Sequence, residues 1–342
     1  MPFKKKLKEF KKSIIVSLGI VIAVSSFAFL FIDDSVNEAN KIKQFNGIYE
    51  PSAAQQLTNG TLIILEDEIS RALNSVDVDS FGNLIENAIG DKQLNSQLKQ
   101  SFDDLEGVAL SHKGEIYATT SFSRTSKGKR RPNREKLLRL VFDDDGSLIK
   151  QDVYPDFIDS LKDAKLFKRL NAKNDRKNVK LKDINIEGLS FDEDKQHLLF
   201  GLKAPLINDL SVIIRLENPQ QVLDGDDVPV LSKKISLLDL NGGGIRSLAY
   251  DDTLRGYLIA NEVDFGGGSK QSQLWFWDGK QQPIALIIPD IVEMKNIEAI
   301  TAVSVAGKLQ VLVMSDDGSR RNKQPAHYQL IDYIEIHSQI IP

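Results

Sequence analysis

Glu106, Glu187 and Glu298 each open a near-copy of one unit: an acidic residue, a small residue, an apolar β-rich run, a polar turn and a second β-rich run. The copies read Leu105-Glu106-Gly107-Val108-Ala109-Leu110, Ile186-Glu187-Gly188-Leu189-Ser190-Phe191 and Ile297-Glu298-Ala299-Ile300-Thr301-Ala302, with a degenerate copy at Ile245-Arg246-Ser247-Leu248-Ala249-Tyr250. Carboxylates that recur at one place in a repeat can be brought together by it, and such a cluster must be neutralised by metal, by arginine or by shared protons. Three kinds of chemistry are open. Glu106, Glu187 and Glu298 could bind a hard divalent ion, Ca2+ above all, that organises water or substrate for a hydrolase acting on phosphoesters or esters. Arg246 and Arg124 could instead pair with them as a structural network. Alternatively, the rim could capture an anionic ligand, a peptide or a protein partner without chemistry.

The elements that must position these residues are strands. A recurrence every ~50 to 80 residues built from strand-like pieces is the mark of propeller blades. Pro51–Leu57 and Thr61–Leu65 flank Asn59-Gly60, the pair favoured by a type I′ hairpin turn. Similar hairpins turn at Lys113-Gly114, Asp192–Lys195, Asp251-Asp252 and Ala306-Gly307, giving five recognisable blades, with a sixth not excluded. Third strands are predicted at Leu137–Phe142, Val212–Leu216, Gln273–Trp277 and Tyr328–Ile336, the last closing a blade with the segment near Lys41–Asn46. Apolar stripes at helical spacing predict two inserted helices, Phe81–Phe102 and Pro155–Leu170. The fold class is all-β, a propeller over residues 47–342.

In a blade meander, the start of the innermost strand and the end of the second strand share one face around the channel. That rule brings Ser52, Glu106, Glu187, Arg246 and Glu298 to one rim. It adds Asp67 and Glu68, Ser123 and Arg124, Lys203, Glu262 and Asp264, and Asp316 and Asp317 from the second strands. Other motifs carry less. His112, His197, His327 and His337 show no metal-binding spacing, and no Gly-x-Ser-x-Gly elbow occurs. Gly242–Gly244 and Gly266–Gly268 lack the residues of a phosphate loop. The basic run Arg124–Arg134 reads as a solvated loop or as a clamp for phosphate or acidic glycan. Trp275 and Trp277 read as packing between blades.

The chain has 342 residues, 41% hydrophobic, and no cysteine, which excludes disulfides and thiolate metal sites. Six lysines against Glu9 in residues 1–12 leave 38 basic and 47 acidic side chains in the remainder, a net of -9. An acidic body argues against nucleic acid as a partner. Ser13–Ile32 carries no charge, about the 20 residues a membrane helix needs. Lysines precede it and Asp33-Asp34 follow, so residues 1–12 are expected in the cytoplasm, 13–32 as a signal anchor, 33–46 as a tether and the propeller in the periplasm or outside the cell. Cleavage after Ser26-Phe27-Ala28, giving a secreted product, is the competing expectation.

The blocks Glu50–Ala54 with Glu66-Asp67-Glu68, Asp104–Gly107, Lys127–Arg134, Asn185–Gly188, Gly244–Ser247 with Leu274–Gly279, and Ser315–Gly318 occur in this order. That order resembles the bacterial family called domain of unknown function 3616, in the wider group of phytase-like and esterase-like propellers. The resemblance implies a propeller more than an activity. Where the family pattern often has His, this chain has Phe122, so chemistry that needs that imidazole does not carry over.

The anchor is directly testable on the full chain. Alkaline extraction should leave the protein in the membrane, and protease added to spheroplasts should digest it. A carbonate-soluble product beginning near Phe29 would overturn the anchor.

Overall fold

The computed structural model describes residues 42–340 apart from 69, 70, 164, 177, 195 and 265–269. The predicted basic terminus, anchor and tether as far as residue 41 lie outside the described residues.

Twenty strands form five four-stranded antiparallel sheets. Strand β1 (Lys43–Gln44) belongs to the last sheet. The first blade is β2 (Pro51–Gln56), β3 (Leu62–Glu66), β4 (Leu73–Val78) and β5 (Leu84–Glu86). The second is β6 (Leu105–Leu110), β7 (Ile116–Thr120), β8 (Leu137–Phe142) and β9 (Leu148–Tyr154), and the third is β10 (Asn185–Phe191), β11 (Leu198–Ile207), β12 (Leu210–Leu216) and β13 (Ser236–Leu238). The fourth is β14 (Ile245–Asp251), β15 (Gly256–Asp264), β16 (Lys270–Trp277) and β17 (Ile284–Leu286). The fifth is β18 (Ile297–Val305), β19 (Lys308–Ser315) and β20 (His327–Asp332), completed on its outer edge by β1. The innermost strands touch in the cycle β2, β6, β10, β14, β18 and back to β2, so the ring is closed with five blades and no sixth.

Closure joins the two ends of the described chain. Lys43 pairs with Tyr328 and Gln44 with His327, while Phe45 packs on Tyr328 with ring centroids 4.8 Å apart. The propeller therefore begins at Ile42, five residues before the predicted boundary. The core lies between blades rather than in one centre. Five apolar clusters each fill one junction, and Trp275 and Trp277 sit in that between the third and fourth blades. A buried indole needs a partner for its N–H, and Trp275 Nε1 donates to Asn261 Oδ1 at 2.9 Å.

Four local expectations are corrected. The stretch Phe81–Phe102 is not one helix, because Leu84–Glu86 forms the outer strand β5 and only α1 (Ala88–Gln97) is helical. Pro155–Leu170 is two short helices, α2 (Phe157–Asp163) and α3 (Leu166–Asn171), which bury Phe157, Leu166 and Leu170 against the third blade. Chain beyond Asp332 turns into helix α5 (Tyr333–Ile340), following α4 (Pro219–Asp224) in chain order. The Asn59-Gly60 turn is also not type I′. Gly60 alone has positive φ, +94°, and its N–H donates to Leu57 O at 3.0 Å, as in a longer loop ending on a left-handed glycine.

Closure by β1 predicts that Phe45→Ala in the full chain lowers unfolding stability by about 3–5 kcal/mol, the usual range for deleting a buried phenyl ring. Denaturant unfolding checks it. A loss under about 1 kcal/mol would show that β1 does not hold the ring closed.

Candidate functional site

Every innermost strand carries a β-bulge near its start, at the second residue of β2, β6, β14 and β18 and at the third of β10. Pairing skips from Pro51 to Ala53, Leu105 to Gly107, Ile186 to Gly188, Ile245 to Ser247 and Ile297 to Ala299. A bulged residue leaves the ladder and its side chain is re-aimed. The five skipped residues are Ser52, Glu106, Glu187, Arg246 and Glu298, the ring expected from the strand starts. The residue after each bulge is small because neighbouring inner strands nearly touch there. A Cβ on Gly107 would lie 2.7 Å from the Leu189 Cβ, and one on Gly188 would lie 2.8 Å from Ile245 Cγ2.

All of the skipped residues but Ser52 open into a cup of about 400 Å³ at the channel mouth, lined by eleven polar or charged side chains. Of the expected residues, Glu106, Glu187, Glu298, Asp67, Asp316, Arg246, Lys203 and Ser123 line it. Ser52, Glu68, Arg124, Glu262, Asp264 and Asp317 do not. Glu68 Oε1 accepts from Arg320 Nε at 2.7 Å, Asp317 Oδ2 lies 2.7 Å from His327 Nδ1, and Arg124 reaches back to Gly128 O in its own loop. Glu50, Asp104 and Asn185 also line the cup and were not expected there. Their signal was positional: Glu50, Asp104, Asn185 and Asn296 each stand two residues before a ring residue.

Charge compensation within the ring is lopsided. Arg246 lies between its two neighbours, with Nε 3.2 Å from Glu187 Oε2 and Nη2 on Glu298 Oε1 and Asn296 Oδ1. Lys203 Nζ meets the other Glu187 oxygen at 2.5 Å, and Asn185 Nδ2 donates to it at 3.2 Å. Glu187 and Glu298 are thus committed to cations rather than turned with Glu106 onto one ion. Among the described residues no three carboxylates or histidines are grouped as a metal would require.

Across the ring the balance fails. Asp104, in the left-handed region at φ +66°, has its charge met by Arg134 Nη1 at 2.7 Å and by the Ser121 and Ser123 hydroxyls. The predicted basic run is largely spent in this way, since Arg131 and Arg134 hold Asp103 and Arg130 holds Glu135. Glu50, Asp67, Glu106 and Asp316 have no ion-pair partner among the described residues. Burial raises the pKa of all four, and neighbouring carboxylates push the same way. Burial and the adjacent Asp104 carboxyl, which shares a hydrogen bond with it, push Asp67 to about 8. Glu106 is the extreme case. It is 8% exposed, has neither hydrogen bond nor ion pair among the described residues, and stands beside Glu187 with Ser52 on its other flank. The Ser52 hydroxyl offers it nothing, because it donates across the blade junction to Leu105 O at 2.5 Å.

An acid whose folded pKa is raised gives stability that is fully present below its unfolded pKa and lost as pH climbs through the folded value. For Asp67 that window runs from about 4 to about 8. The full chain should therefore lose stability over this range. Asp67→Asn should shrink the slope and be more stable than wild type at pH 8.5, by up to a few kcal/mol at ~1.4 kcal/mol per pH unit. Thermal melts across pH check it; equal slopes in the two proteins would overturn the assignment.

No family model matches the chain, and no curated protein matches it either. Solved structures do show similarity. The PQQ-bound form of aldose sugar dehydrogenase from Streptomyces coelicolor is 16% identical over 85% of this chain and 98% of its own, with a TM-score of 0.39. A nidogen/laminin complex is 11% identical over 82% of this chain and 84% of its own, also at 0.39. Neither likeness carries an argument about function, and the propeller assignment stands on the strand topology.

Proposed function

We infer that the chain is a ligand-binding propeller whose cup takes a cationic ligand. The observation that carries this reading is Glu106, a buried carboxylate that faces the cup with no partner among the described residues. A carboxylate held out of water without compensation is costly to ionise, and an incoming cation that takes the proton's place removes that cost. Anionic ligands are disfavoured. The two cations in the cup wall, Arg246 and Lys203, are already committed to Glu187 and Glu298, so a phosphoester or acidic glycan would meet carboxylates without a free counter-charge. The same commitment weighs against the metal-dependent hydrolase.

Two finer proposals accompany this one. Membership of the domain of unknown function 3616 family is supported by the order of the motif blocks. Tethering of the propeller outside the cytoplasm by residues 13–32 is supported by the uncharged run between lysines and Asp33-Asp34.

The test is Glu106→Gln, which keeps the shape and removes the charge. At constant ionic strength, alkylammonium, guanidinium and calcium salts should be screened for raising the melting temperature of the full chain. At least one should do so, with a ligand at a hundred times its Kd adding ~2.7 kcal/mol. The variant should be no less stable than wild type without ligand and should bind at least about tenfold more weakly, the ~1.4 kcal/mol equivalent of one lost ionic contact. If no cation shifts the wild type, or every cation shifts both proteins alike, the reading is lost.

A further inference from the structure

A second cavity of about 220 Å³ lies between the innermost strands and shares Glu106 and Glu187 with the cup. Glu106 and Glu187 stand at its cup end, and Asp251 and Asp252 at the other. Between them the wall is uncharged, with Ala53, Val108, Ser190, Ala249 and Thr301 facing the bore. Tyr333, from α5, closes on the far end and donates its hydroxyl proton to Asp251 Oδ2. The bore follows β14 from Ser247 to Asp251, so at ~3.3 Å per residue its length is roughly 13 Å. Carboxylates at both ends of a narrow, uncharged tube are the complement of an unbranched chain with a cation at each end.

The lining narrows the class further. The cup wall around Glu106 holds no aromatic residue and so no cage of the kind that binds quaternary ammonium; Phe191, Tyr250 and Tyr333 line the bore only toward its far end. Carboxylates instead accept hydrogen bonds, which requires N–H donors on the ligand. A planar guanidinium suits the open cup but cannot follow the bore as a flexible methylene chain can. We propose that the cup and channel together bind a linear primary polyamine, one terminal ammonium meeting Glu106 and Asp67 and the methylene chain running down the bore toward Asp251 and Asp252. This rests on the cation-binding reading above and adds the ligand class and the role of the channel.

Calorimetric titration of the full chain with a series of α,ω-diaminoalkanes, at fixed pH and ionic strength, tests it. Affinity should rise by roughly fourfold per added methylene, the factor for burying one CH₂ group, until the chain spans the bore. Glu106→Gln should weaken every member of the series. Asp252→Asn, at the exposed far mouth, should weaken the longest diamines by roughly two- to fivefold, the range of one exposed ion pair, and butylamine by less. A bis-trimethylammonium alkane and a blocked lysine peptide, which carries one ammonium on a short chain, serve as probes of the alternatives. Binding of the quaternary probe as tightly as the matching diamine would overturn the hydrogen-bonded seat. A lysine peptide that binds as tightly as the longest diamine would overturn the polyamine in favour of a protein side chain. A flat length series in which butylamine or calcium still needs Glu106 would overturn the channel and leave the cup reading standing. Folded protein that binds no cation would overturn both.

Discussion

Five backbone strands converging on one axis leave almost no room, and that crowding governs the rest of the molecule. A side chain pointing inward at the narrow end must be small or must leave the ladder. The chain does both in consecutive residues: a bulge takes Ser52, Glu106, Glu187, Arg246 or Glu298 out of the ladder, the four charged ones into the mouth, and Ala53, Gly107, Gly188, Ser247 or Ala299 follows. Whatever charge the ejected residue carries then lies within reach of its ring neighbours and little else. Arg246 can serve Glu187 and Glu298 because it stands between them, and it cannot serve Glu106, whose neighbours are Ser52 and Glu187.

The same convergence explains what the sequence made legible. A repeated strand start is visible as a motif, and since equivalent residues of equivalent blades share one rim, naming the motif named the ring. The closing strand was legible because a propeller needs one and the segment Lys41–Asn46 directly precedes the first blade. Side-chain alternation decided what was not. Of two consecutive acids at a strand end only one can face the cup. Asp67 does and Glu68 turns to Arg320; Asp316 does and Asp317 turns to His327. Nothing in the pairs Asp67-Glu68 or Asp316-Asp317 says which member that will be, because a bulge on the facing strand resets the phase.

The helices failed for a different reason. Outer strands such as β5 and β17 are three residues long, too short to show a period of two. Leu84 and Ile85 therefore merge into the apolar spacing of the segment after them, and a strand followed by a helix reads as one longer helix. The basic run misled through composition alone. Arg130, Arg131 and Arg134 are attached to a surface loop, but their guanidinium groups reach the buried carboxylates of Glu135, Asp103 and Asp104. Long side chains on a loop can serve the interior, so a cluster of arginines need not describe the surface it sits on.

The ring also separates two uses of buried charge that composition cannot distinguish. Glu187 and Glu298 are paired, and a paired buried carboxylate is compatible with a purely structural role. Among the described residues Glu106, Glu50, Asp67 and Asp316 have no ion-pair partner, and burial beside other carboxylates raises their proton affinities, which favours protons where cations are lacking. Such protons are a weaker solution than a salt bridge, because holding them requires the solution to supply them and fails as pH rises. A fold seeking only stability would place an apolar residue at the Glu106 position, since the blade junctions around it are apolar already. Retaining a carboxylate in that setting is understandable when something positive visits the cup. In that event the uneven ring is directional, with Arg246 and Lys203 closing the side of the third to fifth blades and leaving the first and second blades as the side that receives the guest.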